Sequence, residues 1–136
     1  MSRLFLVLLV IFPVVSLADL NIDNAWIKHL PPTVPVRAGY MSIFNPGSEA
    51  VSIVSVTSDA FKNIEVHQTI MQDGLMRMEQ IPDLTIGPNS QLKLEPGGLH
   101  LMMMHPTEPT SPGDKVQITI EMSDGSRQSL IFTVKK

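Results

Sequence analysis

The chain has 136 residues, a formal net charge of −3 at pH 7 and no cysteine. The lack of cysteine excludes disulfides, thiolate nucleophiles and thiolate metal ligands. The sequence contains no basic run, so nucleic-acid binding has no electrostatic support.

Residues 1–18 have the pattern of a secretory signal. One early arginine precedes an apolar run from Leu4 to Val15, and Ser16-Leu17-Ala18 supplies the small residues that a signal peptidase requires. The run is shorter than the roughly 20 apolar residues of a membrane-spanning helix, and no cysteine follows it for lipid attachment. We therefore expect cleavage before Asp19, export to the periplasm, and neither a membrane span nor a lipid anchor after cleavage.

Residues 19–136 are predicted to form one domain built of β-strands, because apolar and polar residues alternate in most of its segments. The last two runs each place their apolar side chains on one face: Val116, Ile118, Ile120 and Met122, then Leu130, Phe132 and Val134. The SDGS stretch between these runs is a hairpin signal. No segment shows a sustained helical period. The sequence therefore predicts a single all-β domain, a Greek-key β-sandwich of about eight strands.

The segment EVHQTIMQDGLMRMEQ, residues 65–80, contains Asp73-Gly74, which predicts a two-residue hairpin loop. The predicted register pairs His67 with Gln80, Thr69 with Met78, and Met71 with Met76. His67 and Met78 then become diagonal neighbours, about 7–8 Å apart at the backbone, from which two side chains can reach one ion. Met71 and Met76 share the same face.

The segment GGLHLMMMHP, residues 97–106, concentrates histidine and methionine. An extended chain places His100, Met102 and Met104 on one face and leaves Leu99, Leu101 and Met103 on the other. The first face carries soft donors and the second suits a core. Met102 is therefore a candidate ligand, Met103 a candidate core residue, and Met104 is left open.

The remaining histidines and methionines have simpler interpretations. Met41 and Met122 are predicted to fill the core, as methionine often does. His29 and His105 are predicted to be exposed. Core packing accounts less well for four donors that coincide in face and position, namely His67, Met78, His100 and Met102. Secondary candidates are Met71, Met76, Met104 and His105.

Two imidazoles and two thioethers form a donor set that favours copper as Cu(I). Thioethers are soft donors, and imidazole accepts copper in either oxidation state, whereas zinc sites favour cysteine, histidine and carboxylate. Of these donors only the imidazoles can take up a proton. Protons therefore compete with the metal for them, and binding should weaken in acid. A blue-copper electron-transfer site needs a cysteine thiolate and is excluded.

The spacing of these residues resembles a known family. His67, ten residues, Met78, 21 residues and then His100-Leu101-Met102 resemble the H-x10-M-x21-H-x-M pattern of the PCu(A)C copper chaperones. The resemblance extends over most of residues 19–136, including NAWIKHLPP, AGYMSIFNPG and LEPGGLHLMMMHP. It implies a cupredoxin-like β-sandwich that binds one Cu(I) outside the cytoplasm through these four residues.

The resemblance also implies a function without catalysis. It predicts a periplasmic metallochaperone that delivers Cu(I) to the binuclear copper centre of cytochrome c oxidase, directly or via a partner chaperone. A monomer is expected, although the sequence leaves the oligomeric state open. The expected partners are copper-accepting proteins such as subunit II of that oxidase or another copper chaperone. The alternatives are a periplasmic copper storage or tolerance protein, a copper enzyme, and a β-sandwich binding module that holds no metal.

Overall fold

The computed structural model of the chain describes residues 8–11 and 19–136. Most of the predicted signal, residues 1–7 and 12–18, lies outside the described residues, so its cleavage stays a prediction. Residues 8–11 are exposed and have no regular secondary structure. Within the described ranges, no helix has the length and apolar character needed to cross a membrane.

The described residues form ten β-strands. In chain order they are β1 (Asn21–Lys28), β2 (Val36–Asn45), β3 (Val51–Thr57), β4 (Phe61–Gln72), β5 (Leu75–Gln80), β6 (Leu84–Ile86), β7 (Ser90–Leu94), β8 (Leu99–Pro106), β9 (Lys115–Met122) and β10 (Arg127–Lys135). The predicted all-β, single-domain fold is confirmed, with ten strands rather than about eight. Two of the ten strands are short: β6 has three residues and β7 has five.

Seven of the strands close into a barrel in the order β4-β8-β2-β1-β10-β9-β3. Closure is completed by a pairing between β3 and β4, in which Val56 faces Ile64. The strand β5 extends the sheet beyond β4, while β6 pairs with β3 and β7 pairs with β2. The contact between β1 and β10 is parallel, and the other pairings are antiparallel.

The barrel interior is filled by the alternating apolar residues that the sequence predicted. Phe132 and Val134 of β10 are fully buried, as are Ile118 and Ile120 of β9. Met41 and Met122 are buried in the same cluster, so their predicted core role is confirmed. Burial of this apolar surface is the main favourable contribution to folding.

The loop between β4 and β5 has the predicted geometry. Asp73 and Gly74 have φ angles of +53° and +75°, as a type I′ turn requires at both positions. The register pairs His67 with Gln80 and Met71 with Met76, which confirms the predicted hairpin. All six residues of β5 are exposed, so this hairpin extends beyond the packed part of the barrel.

On the outer face of β1 and β2, Trp26 faces Tyr40, and their ring centroids are 4.8 Å apart. Burial raises the pKa of Tyr40 above its ordinary value, because the phenolate loses hydration there. Tyr40 is the single tyrosine of the chain and Trp26 the single tryptophan. Each side chain is therefore an unambiguous optical probe of this face.

Adjacent residues of β10 lie on opposite faces of the strand, so truncating them should lower the free energy of unfolding by very different amounts. Phe132 is 0% exposed and Ile131 is 57% exposed. Phe132→Ala should lower the free energy of unfolding by about 3–5 kcal/mol through lost burial and an internal cavity. Ile131→Ala should cost less than about 1 kcal/mol. Urea unfolding of both variants checks this, and equal losses would contradict the assigned facing of β10.

The raised pKa of Tyr40 predicts a loss of stability at alkaline pH. The folded state holds the phenolic proton more tightly than the unfolded state, so unfolding becomes easier as pH rises above the ordinary tyrosine pKa of about 10. Tyrosinate absorbance of the folded protein should appear at higher pH than in the same protein unfolded in urea. Coincident titration curves would show that Tyr40 is hydrated in the folded state.

Candidate metal centre

The candidate centre lies on the outer face of the pairing between β4 and β8. In this register His67 directly faces His100, and Glu65 faces Met102. Between these outward pairs, Val66 faces Leu101 on the core side. Because side chains alternate along a strand, burial of the apolar pairs forces both histidines outward together.

The two imidazoles are spaced as a shared metal ion requires. The ring centroids of His67 and His100 lie 6.1 Å apart, with 41° between the ring planes. Two imidazoles bound to one ion at the roughly 2 Å typical of metal–imidazole bonds place their centroids about 5–6 Å apart, depending on the angle at the ion. No large movement of either strand is needed for the two rings to share an ion.

The four predicted site residues differ in exposure. His100 is buried at 7% exposure, and the side chain of His67 is 14% exposed. Met102 is half-buried and lies two residues from His100 on the same face of β8. Met78 faces Thr69, which makes it the predicted diagonal neighbour of His67, and it is 59% exposed. The structure therefore brings the histidines together beside Met102 and places Met78 at the rim.

His67 is held by a carboxylate and keeps one ring nitrogen free. Its Nε2 lies 2.7 Å from Oε2 of Glu65 and donates a hydrogen bond to it. Its Nδ1 is buried and has no hydrogen-bond partner among the described residues. Buried nitrogens without a partner are rare in proteins, and with the proton on Nε2 the lone pair of Nδ1 is available to a metal ion.

His100 is oriented by the backbone. Its Nδ1 lies 3.1 Å from the carbonyl oxygen of Gly98. A carbonyl only accepts, so Nδ1 carries the proton and the lone pair lies on Nε2. Backbone and carboxylate partners of this kind fix the tautomer of metal-binding histidines.

Glu65 belongs to this site, although the sequence analysis did not select it. Besides His67, it contacts Asn63, whose side-chain amide donates to Oε1 over 3.2 Å. Asn63, Glu65 and His67 alternate along β4 and therefore share its outer face. The period-two pattern that placed His67 could have revealed Glu65, two residues earlier in the chain.

The secondary candidates on β8 and the remaining histidine lie apart from the pair. Met104 faces Asn63 and Val36, one step further along the outer face than Met102. His105 is exposed as predicted and has a φ of +54°, so the alternation of β8 ends there. His29 was predicted to be exposed, and this is wrong: it is half-buried, with its amide donating to the carbonyl of Lys135 after β1 ends.

The chain is similar in sequence to a known protein family and to an individual relative. Residues 20–134 match the family described as "Putative lipoprotein LpqE-like". The chain is 30% identical over 116 residues to "Putative lipoprotein Lxx21020" of Leifsonia xyli subsp. xyli, a match that covers 85% of this chain and 69% of that protein. The names of the family and of this relative place the family among secreted or envelope proteins.

The solved structures that resemble the fold include two with bound copper. The copper-bound PCuAC domain from PmoF2 has a TM-score of 0.73 at 15% identity, covering 88% of this chain and 96% of that domain. The solution structure of Cu(I)-DR1885 from Deinococcus radiodurans has a TM-score of 0.68 at 28% identity, covering 83% of this chain and 76% of that protein. The first similarity concerns the fold alone, and the second extends to the sequence. The chain thus belongs to the LpqE-like family and has the fold of the PCuAC domains, as its motif predicted.

Proposed function

We propose that this protein is a Cu(I) metallochaperone that carries one ion on the outer face of β4 and β8. The observation that carries the proposal is the facing pair of His67 and His100, in which a buried imidazole nitrogen has no partner among the described residues. In this proposal both imidazoles bind the ion. Met102 and Met78 supply the thioethers.

The donor chemistry supports Cu(I) over other ions. Two neutral imidazoles and two thioethers form a soft set, and Glu65 beside His67 supplies one negative charge that balances the charge of Cu(I). The similarity to a protein solved in a Cu(I) form, at 28% identity, supports the same cargo.

The exposure of the donors suggests how the ion is passed on. Met78 lies on an edge strand and is the most exposed of the four, whereas His100 is the most deeply buried. A partner's donor therefore displaces Met78 first, then Met102, and finally the imidazoles. Each new bond to the ion replaces an old one, copper stays Cu(I), and no electron is transferred.

We further propose that the protein acts in the periplasm after cleavage before Asp19 and catalyses no reaction. In this proposal it delivers Cu(I) to the binuclear centre of cytochrome c oxidase, through subunit II or another copper chaperone. Membership of a family of envelope proteins supports an extracytoplasmic role. A storage protein would hold Cu(I) equally well but would not release it to a copper-free fragment of the oxidase subunit.

The ligand assignment predicts selective losses of affinity. In competition titrations against a Cu(I) chelator, wild-type protein should bind one tightly held ion. His67→Ala and His100→Ala should weaken binding by more than about 100-fold, beyond the roughly 10–100-fold typical for loss of a supporting partner. Met104→Ala should have a much smaller effect.

His105→Ala is the matched control, because it removes an exposed imidazole from the end of the same strand as His100. Its affinity should equal that of the wild type. Equal affinities for the His67, His100 and His105 variants would overturn the ligand assignment. Failure of the wild type to compete would leave a β-barrel module without a Cu(I) function.

The hydrogen bond from His67 to Glu65 predicts a smaller, graded effect. Glu65→Ala should weaken Cu(I) binding by about 10–100-fold, as expected for a partner that orients a ligand, while the stoichiometry stays at one ion. Glu65→Gln should lie between wild type and Glu65→Ala, because its amide oxygen can still accept from Nε2. The control is Glu79→Gln, since Glu79 faces Gln68 on the opposite side of the hairpin. Unchanged affinity in Glu65→Ala would contradict the orienting role.

A further inference from the structure

Three methionines are exposed on one face of the β4–β5 hairpin. Met71 and Met76 are each 69% exposed, and Met78 is 59% exposed. In contrast, Met41, Met103 and Met122 are 2%, 0% and 2% exposed and belong to the core. Core packing, the ordinary role of methionine, therefore explains the second group and does not explain the first.

The three exposed thioethers form a compact set. Met71 directly faces Met76, and Met78 follows Met76 by two residues on the same face of β5. Facing residues are about 5 Å apart and diagonal neighbours about 7–8 Å, within reach of three flexible side chains. We refer to Met71, Met76 and Met78 as the outer methionine cluster.

The charged side chains of β5 lie on the face of the hairpin opposite to this cluster. Arg77 and Glu79 point to the opposite face, where Arg77 donates to the side chain of Gln72 over 2.7 Å. On the cluster's own face, the described positions between the loop and His67 hold no charged side chain. A cation bound there would meet soft sulfur donors without competition from lysine or arginine.

We propose that the outer methionine cluster is a second, weaker Cu(I) site, formed by Met71 and Met76 with Met78 exchanging between it and the histidine pair. The inference rests on the proposed function, because it assumes Cu(I) as the cargo. Thioethers bind Cu(I) and carry no proton, so protons do not compete with the ion for the sulfurs of Met71 and Met76. Copper enters at the hairpin, and Met78 passes it to His67 and His100.

The transfer requires no other reactant. As the ion moves inward, its bonds to Met71 and Met76 break and bonds to the two imidazoles form, while Met78 stays bound. The oxidation state remains Cu(I), and no proton is released because both metal-binding nitrogens are already unprotonated.

The test uses protein purified from cells that express the full chain, in wild-type form and as the double variant Met71→Leu/Met76→Leu. Leucine keeps the apolar bulk and removes sulfur, so the variant separates metal binding from apolar docking. Cu(I) is added under anaerobic, reducing conditions. Binding is followed by competition with one strong and one weak chelator, and by NMR of the methionine ε-methyl groups.

Wild type should bind one tight equivalent and then a second, at least about 100-fold weaker, that shifts the methyl signals of Met71 and Met76. The double variant should keep the tight equivalent at unchanged affinity, lose the second, and take up Cu(I) from the weak chelator several-fold more slowly. Met104→Leu, which alters a methionine on the outer face of β8, should retain both equivalents.

Three results would overturn the inference: a second equivalent that persists in the double variant, a second equivalent that does not shift the methyl signals of Met71 and Met76, or a wild type that binds the tight equivalent alone. If wild type binds Cu(I) only weakly, and the double variant loses this weak binding, the result would support the outer site and refute the proposed histidine site. A tight equivalent alone in wild type would support the histidine site and refute the outer one.

Discussion

The antiparallel pairing of β4 with β8 is the constraint on which the candidate centre depends. It places His67 opposite His100 although 33 positions separate them in the chain. The pairing is fixed from the other side of the sheet, where Val66 packs beside Leu101 within the core. A slip of β4 by one residue would turn His67 inward and expose Val66, at a cost that excludes the alternative register.

The position of the site follows from the length of β4. From Asn63 to His67 the strand alternates outward and buried residues and belongs to the barrel, whereas from Gln68 onward it pairs mainly with the exposed strand β5. His67 lies where the strand leaves the packed core. Exposure therefore rises steadily along the outer face, from His100 through His67 and Met78 to Met71. A cargo held on this face is shielded at one end and accessible at the other.

The two histidines and the exposed methionines can lie on this face without destabilising the fold. The imidazoles satisfy one nitrogen each with Glu65 and with the carbonyl of Gly98, which keeps the other nitrogen free. Met78 and its neighbours lie outside the barrel, so their exposure leaves no cavity in the core. The core is instead filled by Met103 and Leu101, on the opposite face of β8 from His100. Alternation thus lets one short segment supply both core residues and the ligands of the proposed site.

The sequence by itself determined the elements whose signals are local. Period-two alternation separated Met103 from Met102, and Asp73-Gly74 specified the hairpin register, because a two-residue loop leaves one way to pair its strands. The donor types alone predicted Cu(I) as the metal of the proposed site. Alternation also contained the placement of Glu65 beside His67, although that contact was recognised only in the structure.

Only the tertiary structure decided how distant strands meet. The closure of β3 on β4, the parallel pairing of β1 with β10 and the half-burial of His29 involve segments far apart in the chain. So does the burial of Arg37, whose Nε donates to the hydroxyl of Thr110, 73 positions further along the chain. The facing of His67 and His100 belongs to the same class. Long-range pairing is set by how the whole core packs, and no local pattern encodes which strand will lie beside which.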